Sequence, residues 1–272
     1  MDKREALRKN LENLGNVAVA FSGGVDSTYL LKTAHDVLGD RCIALTAESA
    51  FTPQRELAEA KEFCRNEKIR QIIFDPHPLQ TEELRGNPRN RCYLCKRAML
   101  SEALRIAEEN GISAVAEGTN WDDQGNYRPG MRAVKELGVV SPLLDCGLTK
   151  KEIRAFSREL GLTTWDKPSS ACLATRFPYG DPLTEKKLQM ADRAERVLAD
   201  LGFSQIRVRV HGDVARIEIL PSEFPRILQE KIRAEICGSL KEIGFSYVTL
   251  DLQGFRSGSM DSPPAGSPDG RS

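Results

Sequence analysis

The first residues that could do chemistry lie near the start of the chain, in the sequence Ser22-Gly23-Gly24-Val25-Asp26-Ser27. A short apolar run precedes them and a helical pattern follows at once, which predicts a strand, a tight turn and a helix. The two glycines allow a sharp turn and a close backbone approach to a ligand. Hydroxyls and backbone N–H groups at a helix start attract anions, so this segment is typical of a phosphate cradle.

This cradle is neither of two familiar kinds. A Walker A loop carries lysine where Asp26 stands, and the G-x-G-x-x-G turn of dinucleotide-binding folds is absent from the sequence. A carboxylate beside phosphates would repel them unless a cation lay between, and Mg²⁺ binds through one or two carboxylates together with phosphate oxygens. We therefore predict that Asp26 binds or positions Mg²⁺ beside the bound phosphates. A simpler interpretation, an acidic residue stabilised by the helix dipole, is compatible with this role.

Cysteines form the second candidate group. Cys92 and Cys95 stand as C-x-x-C after a proline-rich loop, and Cys172 lies in a distant proline-rich stretch. Four sulfur ligands would indicate structural zinc or an iron–sulfur cluster, whereas three leave one metal position open, as in working sites. We favour a shared iron–sulfur cluster on these three cysteines, and the alternatives are zinc, a redox pair and free thiols. Three other thiols lie in apolar patterns that predict burial: Cys42, Cys64 and Cys237.

The third group follows a short apolar run and reads Gly118-Thr119-Asn120, with Asp122 and Asp123 close behind. If that run is a parallel strand, these residues lie at its carboxyl end, where ligands bind in such sheets. Taken alone, the segment would more often be a plain turn.

The elements that must position these groups alternate between strand and helix patterns. Strands are predicted at 17–21, 41–47, 69–74, 114–116 and 139–144, with helices between them, which indicates an α/β fold with a parallel sheet covered on both faces. We expect this domain to span 1–165. A linker with Cys172 follows at 166–184, then a small α+β domain at 185–258, and a Gly/Pro/Ser-rich tail at 259–272 that is predicted to be disordered.

Composition limits the classes of function. The 39 basic and 39 acidic residues give a formal net charge of zero, so no global basic field favours nucleic acid. No apolar run is long enough to cross a membrane, and the first residues lack a secretory signal pattern. We therefore expect a cytoplasmic protein whose seven cysteines are thiols or metal ligands rather than disulfides.

The cradle sequence SGGVDS resembles the PP-loop of the ATP pyrophosphatases. Together with EGTNWDD, NYRPG, LTKKEIR, ACLATRFPYG, RVRVHGDVARIEI and LDLQGFRSG, it resembles the LarE family, the sulfur transferases that make the nickel-pincer cofactor of lactate racemase. The resemblance implies that ATP adenylates a carboxylate of pyridinium-3,5-biscarboxylic acid mononucleotide with release of pyrophosphate. Sulfur then displaces AMP, and a second round treats the other carboxylate.

The resemblance also implies roles for the candidate residues. It implies ATP contacts from Ser22, Gly23, Gly24, Asp26, Ser27, Gly118, Thr119 and Asn120. Asp122 would join Asp26 as a magnesium ligand. Some family members sacrifice a single cysteine, whereas others hold a [4Fe–4S] cluster on three, with an extra sulfide on the open iron. This chain, with Cys92, Cys95 and Cys172, matches the second kind, and sacrifice of Cys172 is the alternative.

Alternating arginines point to a substrate site in the C-terminal part. Arg207 and Arg209 fall on one face of a predicted strand, and by themselves could form a solvated basic edge. The LarE resemblance implies that they hold the substrate's phosphate and carboxylates together with Arg176 and Glu195, because the guanidinium fork suits both anions. It implies a catalytic role for Arg176 as well. A phosphate contact from Arg256 and a homohexamer are also implied.

Other functions fit the sequence less well. A tRNA thiolase also couples a PP-loop to cysteines, but it needs a nucleic-acid surface, which a zero net charge does not favour. An amide-forming PP-loop ligase would use ammonia and have no need for three loop cysteines. A nucleotide-binding regulator without catalysis would not need the acidic cradle and a second nucleotide loop.

Overall fold

The chain divides into two compact units. The first joins residues 1–80 to 89–170, and the second joins 81–88 to 171–272. The structure, a computed structural model, describes residues 2–124, 129–168, 171–256 and 258–260. Most of the NYRPG motif, at 126–128, and the tail at 261–272 with its predicted disorder lie outside the described residues.

The elements follow the predicted alternation closely. The strands are β1 (Val17–Ala20), β2 (Cys42–Ala47), β3 (Gln71–Phe74), β4 (Val115–Ala116), β5 (Arg207–His211), β6 (Val214–Glu218) and β7 (Tyr247–Leu250). The α-helices are α1 (Lys3–Leu14), α2 (Val25–Leu38), α3 (Gln54–Asn66), α4 (Glu82–Arg85), α5 (Arg91–Glu109), α6 (Pro129–Glu136), α7 (Pro142–Asp145), α8 (Lys150–Glu159), α9 (Glu185–Asp200), α10 (Phe224–Ile227) and α11 (Glu230–Ile243).

Both faces of the first sheet are buried under helices. Its four strands are parallel and lie in the order β3–β2–β1–β4. Val17 and Val19 pack into one apolar cluster with Leu30 of α2, whereas Ala18 packs into a second cluster with Leu100 of α5. Successive side chains of a strand point to opposite faces, so this division confirms the predicted two-sided α/β sheet.

The start of α8 forms a capping box, which the spacing of Thr149 and Glu152 before a helical pattern predicts from the sequence. The Thr149 hydroxyl accepts a hydrogen bond from the Glu152 N–H, and the Glu152 carboxylate accepts one from the Thr149 N–H. Lys3 of α1 donates to the same carboxylate at 2.8 Å. The Lys3 hydrogen bond, followed by those from Thr149, lowers the pKa of Glu152 from 4.5 to about 2. This pairing fixes the helix start from which Lys150 extends.

The prediction of a last strand at 139–144 was wrong. Val140 forms only an isolated parallel bridge with Ala116, and Pro142 begins the short helix α7. Proline has no N–H to donate to a ladder, and its fixed φ suits the first turn of a helix. Within the described ranges, the sheet therefore ends at β4.

The second unit has a three-stranded sheet in the order β5–β6–β7, antiparallel between β5 and β6 and parallel between β6 and β7. The helical stretch over 224–243 is interrupted at 228–229, between α10 and α11. Residues 81–88 belong to this unit because their backbone pairs with it. The Gly180 N–H donates to the Asn87 carbonyl at 3.0 Å, and the Leu183 N–H donates to the Arg85 carbonyl at 2.8 Å.

In the part of the chain that the structure describes, no helix has the length and apolar character needed to cross a membrane.

Candidate active site

The predicted phosphate cradle joins β1 to α2 in the first unit. Gly24 is the residue before α2, and no side chain caps the helix start. The first N–H groups of a helix have no intrahelical acceptor, so an uncapped start can bind an anion. The Ser22 and Ser27 hydroxyls lie 3.1 Å apart across the turn. Gly23 has a φ of +71° and packs against Ala60 of α3, so a side chain there would be strained.

Asp26, on the first turn of α2, has a cationic partner that sequence reasoning did not identify. Its Oδ2 atom accepts a hydrogen bond from the Lys150 ammonium at 2.5 Å, and its Oδ1 atom is buried with no hydrogen-bond partner in the described part of the chain. Burial raises the pKa of Asp26, although Lys150 acts in the opposite direction. A buried carboxylate with one unpaired oxygen is suited to a cation ligand.

The loop after β4 lies directly against the cradle. A Cβ atom at Gly118 would lie 3.0 Å from the Ser27 nitrogen and 3.3 Å from the Asp26 Cβ, so only glycine permits this approach. Asn120 and Asp123 cap each other across a short 3-10 turn and are both buried. Asp123 therefore has a structural role. The structure brings Gly118, Thr119 and Asn120 to the same edge of the sheet as the cradle.

Asp122 lies on this turn with an exposed side chain, and its Oδ2 atom accepts a hydrogen bond from the Lys150 backbone N–H at 2.8 Å. Lys150 thus contacts both carboxylates predicted to hold magnesium. The oxygen donors of Asp26 and Asp122, with the unpaired oxygen of the former, fit the preference of Mg²⁺ for carboxylate ligands.

Glu117, the residue before Gly118, is a buried carboxylate that sequence reasoning missed. It accepts hydrogen bonds from Lys96 at 2.8 Å, from the Ser141 hydroxyl at 2.6 Å and from the Thr119 N–H at 3.1 Å. Burial opposes its ionisation, but Lys96 and the other donors outweigh burial and lower the pKa of Glu117. Through Lys96, this carboxylate connects the nucleotide loop to α5, the helix that carries Cys92 and Cys95.

Lys167 is a second missed residue at the cradle. Its ammonium group donates to the Gly23 carbonyl at 3.0 Å and lies 2.7 Å from Glu56 and 2.6 Å from Glu59, both on α3. Lys167 falls within the predicted linker and precedes a proline, and neither feature of the sequence indicates this contact.

The predicted cysteine ligands fall in different units. Cys92 is exposed and Cys95 half-buried on the first turns of α5 in the first unit, three positions apart and thus on one helix face. Cys172, also half-buried, precedes a short 3-10 helix in the second unit. None of the seven cysteines, all of them in described ranges, is in a disulfide.

No group of three or more His, Cys, Asp and Glu side chains with metal-site geometry occurs among the described residues. Cys42 and Cys64 are buried, as predicted, whereas Cys237 is only half-buried. Burial raises the pKa of the Cys42 and Cys64 thiols to about 12. Such thiols are poor nucleophiles and ligands.

Arg176 is the central cation of the second unit. It is 1% exposed and forms a bidentate ion pair with Glu195 at 2.7 and 2.8 Å. Its Nη1 atom donates to the carbonyls of Ala171 at 2.9 Å and Cys172 at 3.2 Å. Burial opposes the charge, but Glu195 outweighs burial and raises the pKa of Arg176. The backbone beside Cys172 is thereby fixed to a permanent cation.

Arg209 of β5 is buried and Arg207 is half-buried, although β5 is an edge strand. Arg209 is 4% exposed and pairs with the fully buried Glu218 at 2.9 and 3.0 Å. Burial, then the nearby Arg176 and Arg209, lower the pKa of Arg207 to about 10. Three guanidinium groups therefore lie near two carboxylates, an excess of positive charge that suits a phosphate or carboxylate ligand.

Arg256 lies at the edge of this group. Its side chain is half-exposed, and its Nη2 atom is 3.8 Å from Asp251. The neighbouring Ser259 is hydrogen-bonded to both members of the Arg209–Glu218 pair, at 2.9 and 2.8 Å.

Comparison with known proteins places this geometry in a family. The chain is 40% identical to an uncharacterized protein of Synechocystis over 95% of its own length and 97% of that protein. It is 38% identical to pyridinium-3,5-bisthiocarboxylic acid mononucleotide synthase of Lactiplantibacillus plantarum, over 95% of this chain and 94% of the synthase. No protein-family profile matches the chain.

A more distant relative agrees with the fold of the first unit. The B subunit of glutamine-hydrolyzing GMP synthase from Thermoplasma acidophilum is 29% identical over 68% of this chain and 64% of that subunit. Such a match fits the PP-loop ATP pyrophosphatase superfamily, as do the parallel sheet and the SGGVDS turn. The chain belongs to the LarE family, that of the pyridinium-3,5-bisthiocarboxylic acid mononucleotide synthases.

Proposed function

We propose that this protein is an ATP-dependent sulfur transferase that converts the carboxylates of pyridinium-3,5-biscarboxylic acid mononucleotide into thiocarboxylates. The observation that carries the proposal is the 38% identity, over 95% of the chain, to a synthase named for the bisthiocarboxylic acid product. The uncapped cradle with its unpaired Asp26 oxygen supports the ATP-dependent half of the reaction.

A substrate carboxylate oxygen attacks the α-phosphorus of ATP, and the bond to the β-phosphate breaks to release pyrophosphate. In this proposal, the N–H groups at the start of α2 and the hydroxyls of Ser22 and Ser27 bind the departing pyrophosphate. Gly118, Thr119 and Asn120 form the opposite wall of the nucleotide site. Asp26 and Asp122 would hold Mg²⁺, which neutralises phosphate charge when bound.

The resulting acyl adenylate carries a good leaving group, which a free carboxylate lacks. A sulfur nucleophile attacks its carbonyl carbon, and the bond to AMP breaks with the electron pair leaving on the phosphate oxygen. Arg176, Arg207 and Arg209 bind the anionic groups of the substrate, supported by Glu195. Arg256 contributes at the edge of this site. The buried positions of Arg176 and Arg209 favour strong charge-assisted hydrogen bonds.

Cys92, Cys95 and Cys172 handle the sulfur in this proposal. Their number and their partial exposure favour a [4Fe–4S] cluster that supplies sulfide when bound. The same residues permit an alternative in which Cys172 gives up its own sulfur. Iron analysis of anaerobically purified protein separates the two, because a cluster requires about four irons per chain.

Mass spectrometry of the product tests the function directly. Protein is incubated with ATP, Mg²⁺, a sulfide source and the biscarboxylate mononucleotide. We expect each replaced oxygen to add the mass difference between sulfur and oxygen, with one pyrophosphate and one AMP released per replacement. Release of pyrophosphate only in the presence of tRNA would overturn the proposal. Light scattering of the same sample tests the proposed homohexamer, and fractionation of cells tests the proposed cytoplasmic location.

A further inference from the structure

Lys167 has all its donors engaged at the cradle. An ammonium group has three N–H donors, and here three acceptors surround it: the Gly23 carbonyl at 3.0 Å, Glu56 at 2.7 Å and Glu59 at 2.6 Å. Only 14% of its side chain is exposed. A saturated and largely buried lysine has no donor left for a ligand, and its charge is already balanced by two carboxylates. Its effect on ATP must therefore pass through the groups it holds.

The cradle group that Lys167 holds is the peptide between Gly23 and Gly24, because its ammonium donates to the Gly23 carbonyl. In a trans peptide, the carbonyl of one residue and the N–H of the next point in opposite directions. A bond that holds the Gly23 carbonyl toward Lys167 therefore directs the Gly24 N–H away from it. A Gly-Gly peptide has no Cβ on either side to restrict its rotation, so its orientation needs an external constraint.

The backbone that carries Lys167 is itself anchored. Arg154 of α8 donates to the carbonyl of Trp165 at 2.7 Å and to that of Lys167 at 2.8 Å. Glu56 belongs to the helix whose Ala60 packs against Gly23. The lysine is thus held at its backbone by α8 and at its ammonium group by α3, with the cradle carbonyl as the third acceptor.

We propose that Lys167 is a positioning residue that fixes the Gly23–Gly24 peptide, so that the Gly24 N–H faces the pyrophosphate part of ATP. The inference rests on the proposed function, since it assumes that the cradle binds ATP. Lys167 does not touch the nucleotide. It holds the cradle in its binding orientation before ATP arrives, so binding does not have to select one peptide orientation among several.

The test measures the affinity of α,β-methylene-ATP with Mg²⁺ by calorimetry, because this analogue occupies the cradle without being cleaved. Lys167→Met should weaken binding roughly tenfold, the effect of losing one charge-assisted hydrogen bond. It should also shift the Gly24 amide signal in the ¹⁵N spectrum of the ligand-free protein. Lys61→Met is the control, because it removes another lysine–glutamate pair of α3, at 3.3 Å, without a contact to the cradle.

Lys167→Arg separates positioning from general stability. Arginine keeps the charge beside Glu56 and Glu59 but moves the donor away from the Gly23 carbonyl. We expect this variant to recover the wild-type Tm but not the wild-type Kd. Wild-type affinity in folded Lys167→Met or in Lys167→Arg would overturn the inference. Failure of the wild-type protein to bind the analogue would instead overturn the proposed function.

If Lys167→Met does not fold, an NMR measurement on the wild-type protein still tests the inference. The ¹⁵Nζ signal of Lys167, assigned with Lys167→Arg, should shift when the analogue binds, because the Gly23 carbonyl polarises as its peptide N–H engages a phosphate. An unchanged signal at saturating analogue would contradict the inference.

Discussion

The ammonium group of Lys150 donates a hydrogen bond to Asp26 across 2.5 Å, although the two residues are 124 positions apart in the chain. The backbone N–H of the same lysine donates to Asp122. One residue at the start of α8 therefore occupies both carboxylates proposed to hold magnesium. A divalent cation bound at the Oδ1 atom of Asp26 would compete with this ammonium for the charge of the same carboxylate.

Lys150→Met should tighten the binding of free Mn²⁺ in the absence of nucleotide roughly tenfold, because the competing cation at Asp26 is removed. The same variant should bind the nucleotide–metal complex more weakly, since a positive charge near the phosphates is lost. Electron paramagnetic resonance of bound Mn²⁺ measures the first effect and calorimetry the second. Lys151→Met, which alters an exposed neighbour, is the control. Weaker binding of free Mn²⁺ in Lys150→Met would contradict the prediction.

Asp26→Asn should raise the Tm of the ligand-free protein at neutral pH while abolishing ATP-dependent pyrophosphate release. Burial raises the pKa of Asp26 above 3.8, so the folded state disfavours its ionised form. Stability is therefore lost as pH rises from 3.8 through the raised pKa, and asparagine avoids this loss. The gain in Tm should shrink as pH falls toward 3.8. Asp36→Asn, on an exposed part of the same helix, should show no gain. A lower Tm for Asp26→Asn at neutral pH would refute the argument.

Gly118→Ala should impair nucleotide binding and cost about 1–3 kcal/mol of unfolding free energy, the usual effect of forcing an extra methyl group into a packed site. The new Cβ would lie 3.0 Å from the Ser27 nitrogen and would displace the start of α2. Chemical denaturation and analogue binding measure the two effects. Gly238→Ala in α11 is the control, because its Cβ meets nothing within 4 Å, and it should be neutral or stabilising. Equal stability of the two variants would exclude the proposed close contact.

Arg209→Met and Arg207→Met should differ in stability although both weaken substrate binding. The first leaves Glu218 fully buried without its main partner, which costs about 3–5 kcal/mol. The second removes a cation whose pKa is lowered to about 10, which means that the folded state disfavours its charge. Its removal should therefore cost little unfolding free energy. Urea denaturation compares the two. A Glu218→Gln change in the Arg209→Met background should restore part of the loss; a further loss would show that the buried charge is not the cause.

The sequence allowed prediction of what depends on neighbours in the chain. The capping box at Thr149 and the glycine turn after β1 were correct because their contacts span a few residues. The prediction of a strand at 139–144 was wrong because it gave the apolar content of the segment more weight than Pro142, which begins a helical turn. Lys150 and Lys167 were missed for a different reason. Their partners are more than 100 positions away, and an ordinary lysine on a helix or loop gives no local sign of such a partner.

The arginines of β5 show the same limit of prediction from sequence. Alternation placed Arg207 and Arg209 on one face, but only the fold shows that Glu218, opposite Arg207 on the neighbouring strand, pairs diagonally with Arg209. Burial of Arg209 on an edge strand depends on the Thr175 carbonyl and on Ser259. No residue pattern within β5 could show the partner of Arg209 or its burial.

The guanidinium group of Arg176 holds Glu195 on one side and the carbonyls next to the Cys172 thiol on the other. An anion that draws this guanidinium away from Glu195 also loosens the backbone of Cys172. Arrival of such an anion and movement of the Cys172 backbone would therefore be coupled. The order in which an enzyme of this kind loads its substrate and exposes its thiol would then be set by a single side chain, and time-resolved thiol labelling after addition of the ligand would record it.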